Sequence, residues 1–298
     1  MGNANVDYSY RIRSFPRSDE VVVADGCVVS SGGSASNFAY AARRLGVNSM
    51  FVGAVGDDSA GKFFLDEMEA GGVDVSLVQV VKGELTGTVS IWVDDTGEKH
   101  GVAWRGANTR LTPVAGWRRL DEATVVHLAG CVPSVAAWLT DTLHTATTFD
   151  PGSSSGRFSA KQLGSMVSRC EVSFLSSREV DRAALEGVSL IDDARFSRKI
   201  LVIKMGGKGV EVHFHGGALK MEPLPSEVVD TTGAGDAFAS AFVFRYLRDK
   251  DVAEATRWGT ASAALKVRRL GSKSGVPTLD ELQRFVELNR NRLKPVEA

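Results

Sequence analysis

From about residue 45 onward, short apolar runs alternate with helix-length amphipathic stretches. Residues 50–54 precede 60–70, 124–128 precede 135–143, 147–149 precede 160–168, and 172–175 precede 179–185. Residues 200–205 close the series, and beyond them the chain turns into another strand. A strand that returns through a helix lies parallel to its neighbour and buries both faces, so helices must cover the sheet on both sides. The alternation therefore predicts an α/β fold built on a mostly parallel central sheet.

Two segments break the rule. Residues 8–31 and 84–105 show period-2 patterning without helices, and Asp94-Asp95-Thr96-Gly97 reads as a hairpin turn. Such strands do not insert cheaply into a parallel sheet, so a small β-sheet lid is expected, placed to cover a site or to pair with a second subunit. Residues 2–7 look like the end of a first core strand with almost no apolar residues before it. Either the fold tolerates a stub or the true start codon lies upstream.

Lys and Arg number 35 against 36 Asp and Glu, leaving a net charge of −1 and no basic surplus for nucleic acid or an anionic membrane surface. Small-molecule partners are favoured. Cys27, Cys131 and Cys170 are widely spaced and suggest buried free thiols. No stretch approaches the roughly 18 apolar residues of a membrane span and no signal sequence is evident, so the cytoplasm is expected. The five histidines lack metal-ligand spacing and read as structural.

The chemistry concentrates in Asp230-Thr-Thr-Gly-Ala-Gly-Asp-Ala-Phe238, followed by a small, apolar stretch that reads as a buried helix. A glycine turn opening a helix presents unpaired N–H groups and the positive end of the helix dipole, which is an anion cradle. Asp236 beside that cradle suits a base better than an anion ligand, and the combination suggests phosphoryl transfer. A dinucleotide fingerprint would need a small residue where Phe238 stands. Gly56–Lys62 has Walker A spacing, but Phe63 replaces the required hydroxyl and Asp57-Asp58 would repel phosphate, so it reads as a capped helix start.

Near the N-terminus, Ser31-Gly-Gly-Ser-Ala-Ser-Asn37 precedes a helical stretch with Ser34 as its cap and Gly46 as its stop. Asn37 is placed to offer an amide to a hydroxyl. Asp7, in Asn5-x-Asp7, would accept from adjacent sugar hydroxyls.

Together these segments resemble the ribokinase/PfkB family of carbohydrate and nucleoside kinases. The resemblance rests on Asn5/Asp7, Gly32/Gly33/Asn37, Arg105–Pro113, Lys204–Gly209, the 230–238 nonapeptide and Gly259–Pro277, and so spans essentially the whole chain. It implies an α/β ribokinase-like kinase domain over residues 1–298, with helices on both faces of the sheet and the β lid. It also implies ATP as phosphate donor and Mg2+ as its companion. Asp236 matches the family's base, and Gly233, Ala234 and Gly235 its anion hole. Asn5, Asp7, Gly32, Gly33 and Asn37 match the acceptor site. Lys204, Gly206, Gly209, Thr232, Thr260 and Ala263 fall in the nucleotide half. Asp230 and Thr232 match positions that bind a monovalent cation such as K+ in several members.

Two departures stand out. Asn-x-x-Glu of the family appears as Ser176-Ser-Arg-Glu179, which keeps the carboxylate linked to Mg2+ and predicts weaker metal organisation. Lys204 stands where many relatives have Thr, and either reaches a nucleotide phosphate or pairs with an acid. The acceptor stays open. Gly-Gly-Ser-Ala-Ser-Asn is closer to nucleoside kinases, whereas the Arg105 segment is closer to ribokinases. Arg105 or Arg13 at the site would instead favour a sugar phosphate, as in 6-phosphofructokinases. A sugar or nucleotide sensor without catalysis is the alternative class, and a homodimer through the lids is the expected assembly.

Overall fold

The computed structural model describes residues 1–112 and 115–297, so Pro113 of the Arg105–Pro113 motif lies outside the described residues. The chain first builds β1 (Asn5–Arg11), β2 (Gly26–Gly32), α1 (Ser34–Arg44), β3 (Ala54–Gly56), α2 (Ser59–Ala70), β4 (Gln79–Val81), β5 (Gly87–Val93) and β6 (Lys99–Trp104). Four of these strands form the separate small sheet, in the order β2-β1-β5-β6. The Asp94 turn closes its β5–β6 hairpin, with Gly97 N–H donating to the Asp94 carbonyl at 3.0 Å. Asp58 caps α2 by accepting from Gly61 N–H at 2.9 Å, as expected for a helix start that is not a phosphate loop.

The remaining elements are β7 (Val125–Ala129), α3 (Pro133–Thr142), β8 (Ala146–Asp150), α4 (Ala160–Arg169), β9 (Val172–Ser176), α5 (Ser177–Leu185), α6 (Leu190–Ser197) and β10 (Ile200–Lys204). After them come β11 (Val210–Phe214), β12 (Gly217–Met221), α7 (Ala234–Asp249), α8 (Val252–Lys266), α9 (Leu279–Leu288) and β13 (Val296–Glu297). Strands β7 to β10 are parallel, and the edge beyond β10 is antiparallel, in the order β13-β12-β11-β10-β9-β8-β7. Alternate side chains serve opposite cores. Val172, Phe174, Ile200 and Val202 pack with α7 and α8, whereas Leu175, Leu201 and Ile203 pack with α4 to α6. Phe174 meets Phe238 and Phe242 edge-on, with ring centroids 6.2 and 5.5 Å away. Loss of such a ring typically costs about 3–5 kcal/mol.

One sequence expectation needs correction. Asn5 and Asp7 do not end a core strand; they begin lid strand β1. It is Met1 and Gly2 that lie beside β7, Gly2 bridging Ala129 in parallel and the Met1 amino group donating to the His127 carbonyl at 2.6 Å. The chain then crosses from the main sheet into the small sheet, so Asn5 and Asp7, expected at the acceptor site, lie on the small sheet itself. Cys131 and Cys170 are buried as expected, but Cys27, on lid strand β2, is exposed.

Candidate active site

Six of the nine described helices, α2, α4, α5, α6, α8 and α9, begin at an Asp, Ser or Thr whose side chain accepts from their first turn. A seventh, α3, opens with Pro133. The first turns of α1 and α7 have neither device: each starts after a glycine, with no side-chain cap. Ser34, expected as a cap, is instead the first residue of α1, and Gly33 precedes it at φ 98°. Gly233 precedes α7 at φ 77°, and a Cβ there would sit 2.3 Å from the Ser272 carbonyl oxygen. Residues with side chains are strained in such backbone, so glycine is what lets both turns form. The two N-termini pack together, and Asn37 Nδ2 on α1 donates to Asp236 Oδ2 on α7 at 2.8 Å. The Ala234 N–H donates to the Thr231 carbonyl at 3.2 Å, and the other first-turn N–H groups and two positive dipole ends meet at one carboxylate.

Burial, reinforced by the Asp150 carboxylate, pushes Asp236 up to about 6 against the pull of Asn37 and Lys204. That value leaves it ionised at neutral pH yet basic enough to take a proton. Lys204, at the end of β10, pairs with Asp150, at the end of β8. Burial lowers the Lys204 pKa, but the Asp150 carboxylate outweighs it and holds the ammonium above its usual value. Lys204 therefore pairs with an acid, but with one buried inside the site.

On the lid side, the Asp7 carboxylate lies over Gly32, where any Cβ would come within 2.0 Å of Oδ2. Burial pushes Asp7 up to about 7 against the pull of Lys273. Its Oδ1, like Oδ1 of Asn37, is buried without a hydrogen-bond partner. Buried polar atoms without partners are exceptions in folded proteins, and here they suit the hydroxyls of a ligand. Asn5 behaves differently: its Oδ1 accepts from Asn108 Nδ2 at 3.0 Å, which ties β1 to the Arg105–Asn108 turn. Behind Asp7, the buried ammonium of Lys273 bonds Ser31 and lies 5.4 Å from the centre of the Tyr40 ring. Arg105 reaches Ser153, donating to its carbonyl at 2.9 Å, and is near enough to Arg157 for the two charges to oppose each other.

On the other side of Asp236 opens a largely apolar cavity of about 350 Å³. Lys204, Gly206, Gly209, Gly235, Thr260 and Ala263 line it, whereas Thr232, also expected in the nucleotide half, does not; its neighbour Thr231 takes that place. The hydroxyls of Thr232 and Thr260 are buried and unpartnered. A slot of this size and apolar character suits a base and ribose, with Ala234 and Gly235 of the turn on its wall. Glu179 turns back to cap α5, accepting from Ser176 N–H at 2.7 Å, and the Ser176 hydroxyl completes the capping box. Serine at 176 thus preserves the cap that holds Glu179. Asp230 spends its carboxylate on the N–H groups of Thr232 and Gly271, each at 2.8 Å, and faces the ammonium of Lys266.

The profile of the pfkB family carbohydrate kinases matches residues 1–279. The chain belongs to that family. It is 33% identical to the ATP-dependent ribose-1-phosphate kinase of Halopiger xanaduensis, over 96% of each chain. Its fold is that of ribokinases. The nucleoside kinase of Methanocaldococcus jannaschii superposes with a TM-score of 0.85 at 22% identity over 96% of each chain. The ribokinase of Arabidopsis thaliana, solved with ribose and ATP, gives 0.80 at 22% identity over 96% of this chain and 97% of that one. As a PfkB kinase, this chain is an ATP-dependent phosphotransferase acting on a sugar or nucleoside.

Sequence reasoning missed several residues of this kinase's site. Asp150 had a readable signal, because a carboxylate at the carboxyl end of a parallel strand, just before Pro151-Gly152, sits where α/β sheets bind ligands. Asn108 lay inside a motif already noted. Lys266 and Lys273 carried no signal, since a lysine in a helix's last turn or in a loop reads as a surface residue until the fold encloses it.

Proposed function

We infer that the chain transfers the γ-phosphate of ATP to a hydroxyl of a ribosyl acceptor that already carries a phosphate. The observation that carries the reaction is the 2.8 Å contact between Asn37 and Asp236, which joins the acceptor half to the anion cradle at a carboxylate of raised pKa. Asp236 takes the acceptor's O–H proton as that oxygen bonds to the γ-phosphorus. The bond from phosphorus to the β–γ bridging oxygen breaks, and ADP departs. N–H groups of the 233–235 turn stabilise the charge on the transferring group, the dominant contribution in this chemistry. Asp7, Gly32, Gly33 and Asn37 hold the sugar, with Asn5 bracing β1. Gly206, Gly209, Thr232, Thr260 and Ala263 hold the nucleotide.

Among the described residues no cluster of three or more His, Cys, Asp or Glu side chains is arranged to hold a metal. Mg2+ would enter as the companion of ATP and neutralise phosphate charge, with Glu179 and Asp150, both near enough to act on the Lys204 ammonium, as the carboxylates that would meet it. The phosphate on the acceptor is supported by Arg105 and Arg157, two neighbouring cations that form no ion pair among the described residues. Paired guanidinium groups suit a phosphate, and a relative named for ribose 1-phosphate agrees. A coupled ADP-release assay over ribose 1-phosphate, ribose, fructose 6-phosphate and inosine tests this. Ribose 1-phosphate should give the highest kcat/KM, and Arg105→Ala should raise its KM at least tenfold. Equal turnover of ribose and ribose 1-phosphate would refute the phosphate, and no turnover of any acceptor would favour a sensor.

Residues 1–298 act here as one kinase domain with a lid. Exposed Val29, Val102 and Trp104 on lid strands support a homodimer through the lids, which light scattering checks. No described helix is long and apolar enough to cross a membrane, and the three free cysteines suit a reducing cytoplasm.

A further inference from the structure

Lys266, in the last turn of α8, is fully buried. An ammonium group persists there only if protein oxygens replace its water. Its Nζ donates to the Asp230 carbonyl at 3.0 Å and to the Arg269 carbonyl at 3.4 Å, and lies 4.0 Å from Asp230 Oδ2. These oxygens come from two turns, residues 230–235 leading into α7 and residues 269–275 after α8. Elsewhere the turns meet where Gly271 N–H donates to Asp230 Oδ2 and where Gly233 fits against Ser272. One positive charge therefore holds together the backbone that shapes the anion cradle.

The resemblance places a monovalent cation at Asp230 and Thr232, and the donor set here does not fit one. The Asp230 carbonyl and Oδ2 already face Lys266, and Oδ1 is taken by the Thr232 N–H. A second cation on Asp230 would share its carboxylate with the ammonium, 4.0 Å from Oδ2, and like-charge repulsion over about 4–7 Å in a protein interior weakens binding by about 50- to 1,000-fold. We propose that Lys266 is a built-in cation that fixes the 230–235 turn, so that phosphoryl transfer by this chain needs no K+ or Na+. Lys266 is a positioning residue, acting through Asp230 on the turn, and its role rests on the reading of that turn as the phosphate cradle.

The test measures kcat and melting temperature in chlorides of K+, Na+ and the bulky tetramethylammonium ion at constant ionic strength. The wild type should give the same values in all three. Lys266→Ala opens a void beside Asp230. It should lose about 100-fold in kcat through misplacement of the cradle, with K+ or methylammonium restoring both kcat and melting temperature. Lys266→Met fills the void without the charge and should stay low in every salt. The proposal fails if wild-type kcat or melting temperature rises clearly in K+, or if Lys266→Ala keeps full activity in tetramethylammonium. Should Lys266→Ala not fold, the wild-type comparison decides alone. A wild type that phosphorylates no acceptor in any salt refutes the kinase reading instead, and the melting temperatures still decide the cation.

Discussion

Replacing Gly235 with alanine adds one methyl group at the second position of α7. Its nearest neighbours would be Lys204 Nζ at 3.6 Å and Cδ at 3.7 Å, ordinary contact distances. Packing loses nothing, and removing a glycine from a helix is worth about 0.5–1 kcal/mol. For a chain of 298 residues the unfolding entropy near the midpoint is about 0.6 kcal/mol/K, so the melting temperature should rise by about 1 °C. The same methyl group stands between the turn and Lys204, in the space read as the seat of the γ-phosphate. Displacing that group by about 1 Å costs roughly 100-fold in turnover, equivalent to about 2.7 kcal/mol of barrier. Scanning fluorimetry with a coupled ADP assay reads both quantities on one sample. Gly233→Ala is the contrast: at φ 77° and 2.3 Å from Ser272 O, it should melt several degrees lower. Full turnover in Gly235→Ala would place the phosphate elsewhere, and marked destabilisation would make Gly235 a packing residue instead.

Other outcomes follow from the site's charges. Asp236 must be ionised to accept a proton, so kcat/KM should fall about tenfold per pH unit below about 6, and Asp236→Asn should abolish transfer; a flat profile down to pH 5 would exclude Asp236 as base. Asp7 and Asp236 both have folded-state pKa values above the ordinary carboxylate value, so protons favour the fold. Stability measured by denaturation should decline as pH rises from about 4 to 7. Asp7→Asn should flatten that slope and raise the melting temperature at pH 8, while acceptor binding by calorimetry is lost. Lys204→Met removes the charge that pulls Asp236 down, so the acid limb of the pH–rate profile should move to higher pH, and an unmoved limb would deny their coupling.

The central sheet was legible because its strands bury both faces, which forces runs such as Ile200–Met205 that few other structures explain. The cradle was legible because a helix start preceded by glycine leaves N–H groups free whatever surrounds it. Legibility ended where partners come from distant chain segments. Ser34 looked like a cap, yet Gly33 holds that position, because the turn there takes a backbone conformation, φ 98°, that favours glycine. Asn5 and Asp7 have the same local pattern, but only the fold shows that Asn108 occupies one and leaves the other open. Asp150 and Lys204 are far apart in sequence, and their pairing follows from strand order.

Asp7 and Gly32 belong to the lid, whereas Asn37 and Asp236 belong to core helices. In the proposed acceptor site a sugar would be held by both bodies at once, so its binding energy would favour closure of the small sheet over the phosphate. A water molecule beside Asp236 would not reach Asp7 and would gain none of that closure. On that reading, the division of the acceptor site between two bodies would set the selectivity of the nucleophile: ATP would be spared from hydrolysis until a molecule long enough to span the gap arrives.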